Sequence, residues 1–188
     1  QILPWIHRLE LASDLDKHVI ELALRQIGQD GRPLGINLST AAVADSSFLL
    51  WLNEIFSSHA EAAAKLWMEI QEAAAYRYLD NFEKLCARAR AHDTRIGVEH
   101  VGYRVSDLGQ LHQVGLDFLK IDAALVGGID RNEVNQALVR TLCSLGHAMQ
   151  ATMIAEGVQD EAAWRVLQGL GVDAATGPWV SDRYKFSG

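Results

Sequence analysis

No apolar run in this chain of 188 residues approaches the ~18 residues of a membrane-spanning helix, so no stretch of it reads as a helical span. Basic runs are also missing. With a formal net charge of −7, that argues against a nucleic-acid polymer as a bulk electrostatic partner. There are only two cysteines, Cys86 and Cys143, far apart and without CxxC spacing. Both are expected to be buried free thiols, as in a cytosolic protein. No Pro/Gly/Ser-rich linker and no low-complexity segment divides the chain, which points to one domain over residues 1–188. The first residues are Gln1-Ile2-Leu3, without an initiator Met, and the chain is expected to be a piece of a larger protein.

What is present is ordinary for a globular domain with a sizeable core: 49% hydrophobic and 22% charged residues. Helical spacing of apolar residues covers Trp5 to Gln29, with Ser13 and Asp14 as caps. A helix through Phe48, Leu49, Leu52 and Ile55 follows, and then one from Tyr76 to His92. Asn132 to Gln150 reads as a helix turning Val134, Ala137, Leu138, Thr141, Leu142 and Leu145 inward, and Ala162 to Leu170 as another, stopped by Gly171. Between these lie short apolar runs: Leu34–Ile36, Leu66–Met68, Ile96–Val98, Phe118–Leu119, Ala151–Ala155 and Val172–Ala175. Six strands alternating with helices at roughly 25–35 residues per unit mean a parallel α/β sheet, open or closed into a barrel.

Polar residues end nearly every strand: Asn37, Glu69, Glu99 with His100, Lys120 with Asp122, Glu156 and Thr176. The carboxyl edge of a parallel sheet is where such folds build their sites. Carboxylates and an amide around one mouth suit a hard divalent cation. Two such ions can clamp a phosphodiester and activate water. Lys120 would hold that water or offset charge on a non-bridging oxygen. Each position also has a plainer explanation. A Glu at a strand end often caps a helix or pairs with a cation, and Asn37 suits a turn. His100 fits a satisfied polar residue at a loop start, and Lys120 and Asp122 share a strand face. Convergence of all these ends is what favours a site.

The motifs Asn37-Leu38-Ser39, Glu69-Ile70-Gln71-Glu72, Leu119-Lys120-Ile121-Asp122 and Ala155-Glu156-Gly157-Val158 resemble, in order and spacing, those of the EAL domains. These are bacterial cyclic di-GMP phosphodiesterases, and the likeness covers essentially the whole chain. It implies a modified TIM-type (β/α) barrel, here lacking the first two strands and the Glu-Ala-Leu motif itself. Six strands do not close an eight-stranded barrel: either the rest of a larger protein supplies an upstream segment, or this chain is an incomplete representation of the domain. By the same resemblance Asn37, Glu69, Glu99 and Glu156 occupy metal-ligand positions and Lys120 the water-positioning one. Asp122, Gly157, Thr176 and Gly177 complete the expected ligand-binding set, and Glu72 stands where active members brace the loop after the fifth barrel strand.

Departures from the family pattern shape the functional expectation. Active members carry Asp-Asp-Phe-Gly where this chain has Glu99-His100-Val101-Gly102. An imidazole cannot reproduce a carboxylate that bridges two metals. Tyr103-Arg104-Val105 replaces a small Gly-rich loop near which the family pairs its domains, and Thr176 replaces a Gln. The expectation is therefore a degenerate phosphodiesterase, with Lys120, Glu99 and His100 as remnants of the catalytic set. It would bind cyclic di-GMP without hydrolysis and need no cofactor. The nearest likeness is to LapD-type receptors, which implies upstream GGDEF and HAMP segments, homodimers through the EAL domains, and a cytoplasmic domain of an inner-membrane protein. Two alternatives stay open: an active enzyme using Mg²⁺ or Mn²⁺, and a ligand-free dimerisation module.

Overall fold

The structure, a computed structural model, describes residues 12–102 and 104–183. Six strands, β1 (Leu34–Leu38), β2 (Leu66–Gln71), β3 (Arg95–Val101), β4 (Phe118–Ile121), β5 (Thr152–Ala155) and β6 (Ala174–Ala175), follow one another in chain order in one sheet. The pairs β1/β2, β4/β5 and β5/β6 are parallel, as the helix–strand alternation predicts. The chain forms two compact units, residues 1–97 and 98–188.

In the first unit α1 (Ala12–Asp30) buries Ile20, Ala23, Leu24 and Ile27, the i, i+3, i+4, i+7 stripe of an amphipathic helix. It stops at Gly31, whose φ of +70° is costly for other residues and whose amide donates to the Ile27 carbonyl at 2.8 Å. Ser13 and Asp14 do not cap this helix; they lie within it. The Ser13 hydroxyl donates instead to the Asp45 carboxylate at 2.9 Å, and Asp14 pairs with Lys17 at 3.2 Å. Trp5 and Leu9, read as part of the same helical segment, lie outside the described residues.

After β1 come α2 (Thr40–Ala44), α3 (Ser46–Ser58) and α4 (Ala60–Ala63). The pleat of β1 and β2 sends Ile36, Leu38, Leu66, Met68 and Ile70 into the core. Gly35, Asn37, Trp67 and Glu69, at the alternate positions, stay more accessible. Strand β2 runs on through Glu69 to Gln71, so Glu69 belongs to the strand itself. The helix expected from Tyr76 to His92 is two: α5 (Glu72–Arg77) and α6 (Leu79–Ala91). Tyr78, at φ −126° and ψ 46°, breaks the helical path between them.

One buried polar group holds the start of this unit together. Asp16, on α1, accepts from the Ser39 amide at 3.2 Å and from the Ser39 hydroxyl at 2.5 Å. The same hydroxyl oxygen accepts from the Ala42 amide and so caps α2. Burial pushes the Asp16 carboxyl above its ordinary value of 3.8, and the Ser39 bonds offset part of that shift.

The second unit takes the chain from the end of β3 through a 3-10 segment (Val105–Leu111) to β4, then α7 (Ala123–Val126) and a 3-10 turn (Ile129–Arg131). Helix α8 (Glu133–Ala148), β5, α9 (Glu161–Gly169), β6 and α10 (Pro178–Arg183) follow. Asn132 is the N-cap of α8, its side chain accepting from the Asn135 amide. The inward face of α8 differs from the sequence expectation: Asn135, Val139, Leu142, Cys143 and Gly146 are buried, whereas Val134 is 70% exposed. Two contacts fix this rotation. The Asn135 side-chain Nδ2 donates to the Leu125 carbonyl at 3.1 Å. Gly146 lies directly on Met153 of β5, where a Cβ would fall 2.0 Å from the Met153 sulfur. Hydrophobicity alone favoured the larger Val134 and Leu145; close approach favours the small residue.

Both cysteines are buried free thiols. Burial, with Asp173 nearby, pushes the Cys143 thiol up to about 11, so it stays protonated at neutral pH.

Two outcomes are expected. Asp16→Ala, which strands the Ser39 donors, should cost about 1–3 kcal/mol in chemical denaturation, and Asp16→Asn clearly less. Because the folded value is raised, the contribution of Asp16 titration is fully present below 3.8 and is lost as pH rises through the folded value. The wild-type chain should therefore lose stability relative to Asp16→Asn across that window. Gly146→Ala should lower the thermal midpoint, by the equivalent of about 1–3 kcal/mol of overpacking, despite the better helix propensity of alanine.

Candidate functional site

In the first unit Asn37 and Glu69 are register partners at the carboxyl ends of β1 and β2. A Cβ on Gly35 would lie 3.4 Å from Glu69 Oε1, so the Glu69 carboxylate lies over the face that Gly35 shares with Asn37. The carboxylate and the amide expected to act together thus share one face. Glu72 is buried in the first turn of α5, where a carboxylate favours the helix dipole.

In the second unit five of the expected residues come together. Glu99 and His100 are on β3, Lys120 on β4, Asp122 just beyond it, and Glu156 just beyond β5. His100 Nδ1 stands 3.3 Å from Glu156 Oε2 and 3.4 Å from Asp122 Oδ2, and its Nε2 stands 3.8 Å from Glu99 Oε1. Lys120 Nζ is 3.9 Å from Glu156 Oε1. One imidazole therefore faces three carboxylates. Adjacent residues of a strand normally point to opposite faces. His100 escapes that rule because its φ is +56°, left-handed backbone inside β3, and its ring turns back beside the Glu99 carboxylate. Glu99 itself is buried, whereas the His100 side chain is half exposed.

Asp122 has a second task. Its carboxylate accepts from the Ala124 amide at 2.7 Å and caps α7. The Asp122 amide donates to the Val101 carbonyl at 2.9 Å, tying β4 to the end of β3. Lys120 and Asp122 do not form a pair isolated from the rest of the cluster, since Lys120 turns to Glu156 and Asp122 to His100.

The glycines of the expected ligand set carry a backbone role. The Val158 amide donates to the Thr176 carbonyl at 2.9 Å, and the Thr176 amide to the Ala155 carbonyl at 2.8 Å. A Cβ on Gly177, at φ +128°, would fall 2.5 Å from the Val158 nitrogen. On Gly157, at φ +71°, it would fall 3.0 Å from the Ala123 Cβ. Only glycine allows these chain segments so close. Beside them the rings of Trp164 of α9 and Trp179 of α10 meet at 5.8 Å between centroids, tilted by 34°, a pair that the sequence reading missed along with α10.

Of the rebuilt loop, Tyr103 lies outside the described residues. Arg104 clasps Asp107 through Nε and a terminal nitrogen, both at 2.7 Å, and Val105 opens the 3-10 segment. Among the described residues no group of three or more His, Cys, Asp and Glu side chains is spaced to hold a metal ion.

Residues 1–182 match the EAL domain family. The chain belongs to that family. Vibrio cholerae LapD, as an S helix-GGDEF-EAL protein bound to c-di-GMP, superposes on 94% of this chain and 44% of its own, with a TM-score of 0.86 and 21% identity. The FimX EAL domain of Pseudomonas aeruginosa bound to c-di-GMP covers 93% of this chain and 72% of its own, with a TM-score of 0.83 and 22% identity. The cyclic di-GMP phosphodiesterase PdeF of Escherichia coli is 24% identical over 180 residues, 93% of this chain and 24% of PdeF. The solved EAL structures establish the fold, the TIM-barrel-like α/β type with a parallel sheet that the strand alternation predicted. The chain spans 24–28% of the length of curated relatives such as PdeF and an uncharacterised Mycobacterium tuberculosis protein.

Gly177→Ala tests the backbone role of the turn. It should lower stability by about 3 kcal/mol or more, because the added methyl meets main-chain atoms that have no rotamer to relax into. Thermal unfolding followed by circular dichroism reads it directly.

Proposed function

We propose that this EAL domain binds cyclic di-GMP without hydrolysing it and serves as the receptor part of a larger signalling protein. The observation that carries the reading is the His100 imidazole among Glu99, Asp122 and Glu156. A two-metal phosphodiesterase needs carboxylate oxygens that open toward the ions and a bridging anionic ligand between them. Here the ring faces the carboxylates at 3.3–3.8 Å, and it supplies nitrogen where a bridging carboxylate would be required. These residues do not fit a pair of divalent cations.

Binding asks less of the site. A cyclic dinucleotide brings two anionic phosphodiester groups and two flat bases, and Lys120 and the His100 ring offer N–H donors within the carboxylate cluster. Asn37, Glu69, Thr176 and the narrow turn at Gly157 and Gly177 complete the proposed ligand set, with Glu72 and the Arg104 loop as the proposed dimer region. On this reading upstream GGDEF and HAMP segments belong to the same protein, homodimers form through the EAL domains, and the domain is the cytoplasmic part of an inner-membrane receptor. LapD and FimX, both solved with c-di-GMP, support it. Two observations favour an active enzyme instead: Glu69, Lys120 and Glu156 keep the family's residue types, and the relative PdeF is a phosphodiesterase.

Calorimetric titration of cyclic di-GMP, with and without Mg²⁺ or Mn²⁺, followed by chromatography of the nucleotide, separates these readings. Metal-independent binding with intact nucleotide recovered is the expected result. Lys120→Ala should weaken that binding by about tenfold or more, the scale of a charged hydrogen bond. Linear product that appears only with metal would overturn the proposal, and no heat with no product would leave an interaction module.

A further inference from the structure

Helices α3 and α6 leave an open groove of about 500 Å³ on the first unit, lined by Ser46, Leu49, Leu50, Lys84, Ala87, Arg88 and Ala91. On α6 the lining positions 84, 87, 88 and 91 recur at helical spacing and form one face. Ala87 and Ala91 are the small residues of that face, and Leu50 stands over the groove with 66% of its surface exposed. One end of the groove is built. Arg88 donates to the Asn53 side-chain oxygen at 3.1 Å, and His92 Nε2 lies 3.3 Å from the same oxygen. No carboxylate lines the groove, although the chain carries a formal net charge of −7. Its two charged residues, Lys84 and Arg88, are both cations.

We propose that this groove docks an amphipathic helix of a partner, with leucine-type residues entering between α3 and α6 and glutamates or aspartates meeting Lys84 and Arg88. A floor of small residues lets a helix backbone approach closely. An exposed leucine supplies apolar area, and the paired cations select the sign of the flanking charge. A basic helix is repelled by the same two residues. The groove uses none of the residues of the cyclic di-GMP reading, so it stands if that reading falls.

The test is titration of a synthetic helical peptide, leucines at i, i+3/i+4 and i+7 with flanking glutamates, into the ¹⁵N-labelled chain. Saturable shifts confined to α3 and α6 are expected. Affinity should fall by about tenfold in Leu50→Ser and in Lys84→Glu, both surface changes that leave the fold intact. It should be unchanged in Leu22→Ser, an exposed leucine outside the groove. A matched peptide with lysines in place of glutamates should not bind. Shifts elsewhere, or full affinity in both groove variants, would overturn the proposal. So would concentration-dependent shifts on the same face without peptide, which would assign it to a second copy of the chain.

Discussion

A single residue in left-handed backbone organises the chemistry of this domain. Strand pleat would send the side chains of Glu99 and His100 to opposite faces, and the φ of +56° at His100 brings them to the same cluster. From there the ring reaches the capping carboxylate Asp122 and the half-buried Glu156, which Lys120 approaches from the neighbouring strand. A left-handed histidine costs roughly 1 kcal/mol or more relative to glycine, so the rest of the strand has to hold it there. One bond beyond the residue is in place: β3 remains a strand through Val101, whose carbonyl accepts from the Asp122 amide.

The backbone turns at the ends of β5 and β6 act in the same way on a different scale. Gly157 and Gly177 are motif residues in the sequence, and motif glycines invite a ligand explanation. Their immediate physical reason is steric, because main-chain atoms of Val158 and the Ala123 methyl occupy the space a side chain would need. Close backbone contact sets the position of Glu156, which directly precedes Gly157. Position and chemistry are therefore linked through two residues that have no side chain. In the first unit the equivalent anchor is Asp16, whose buried carboxylate holds both Ser39 and, through it, the cap of α2 just past Asn37.

Much of the fold was legible in the chain. Alternating short apolar runs and amphipathic helices gave the parallel α/β class, and all six strands exist where such runs were read. Of the strand-end residues the sequence singled out, Glu99, Lys120, Asp122 and Glu156 gather around His100 in the second unit, and Asn37 and Glu69 are register partners in the first. Periodicity was less reliable where packing distance rather than hydrophobicity chose the buried face. On α8 the core takes Gly146 against Met153 and leaves Val134 outside, an outcome that no hydropathy pattern encodes.

By itself the sequence determined the element types, the carboxyl-edge placement of the ionisable residues, and the family motifs with the His100 departure, because these depend on local spacing and residue identity. Tertiary structure decided what His100 touches, since that follows from a backbone angle unusual for histidine. It also decided which face of α8 is buried, why Ser13 bonds Asp45 rather than capping α1, and that α3 and α6 leave a basic groove between them. Each of these depends on distances between residues far apart in the chain, and the free energy of a contact is set by that distance and its burial rather than by the order of residues along the chain.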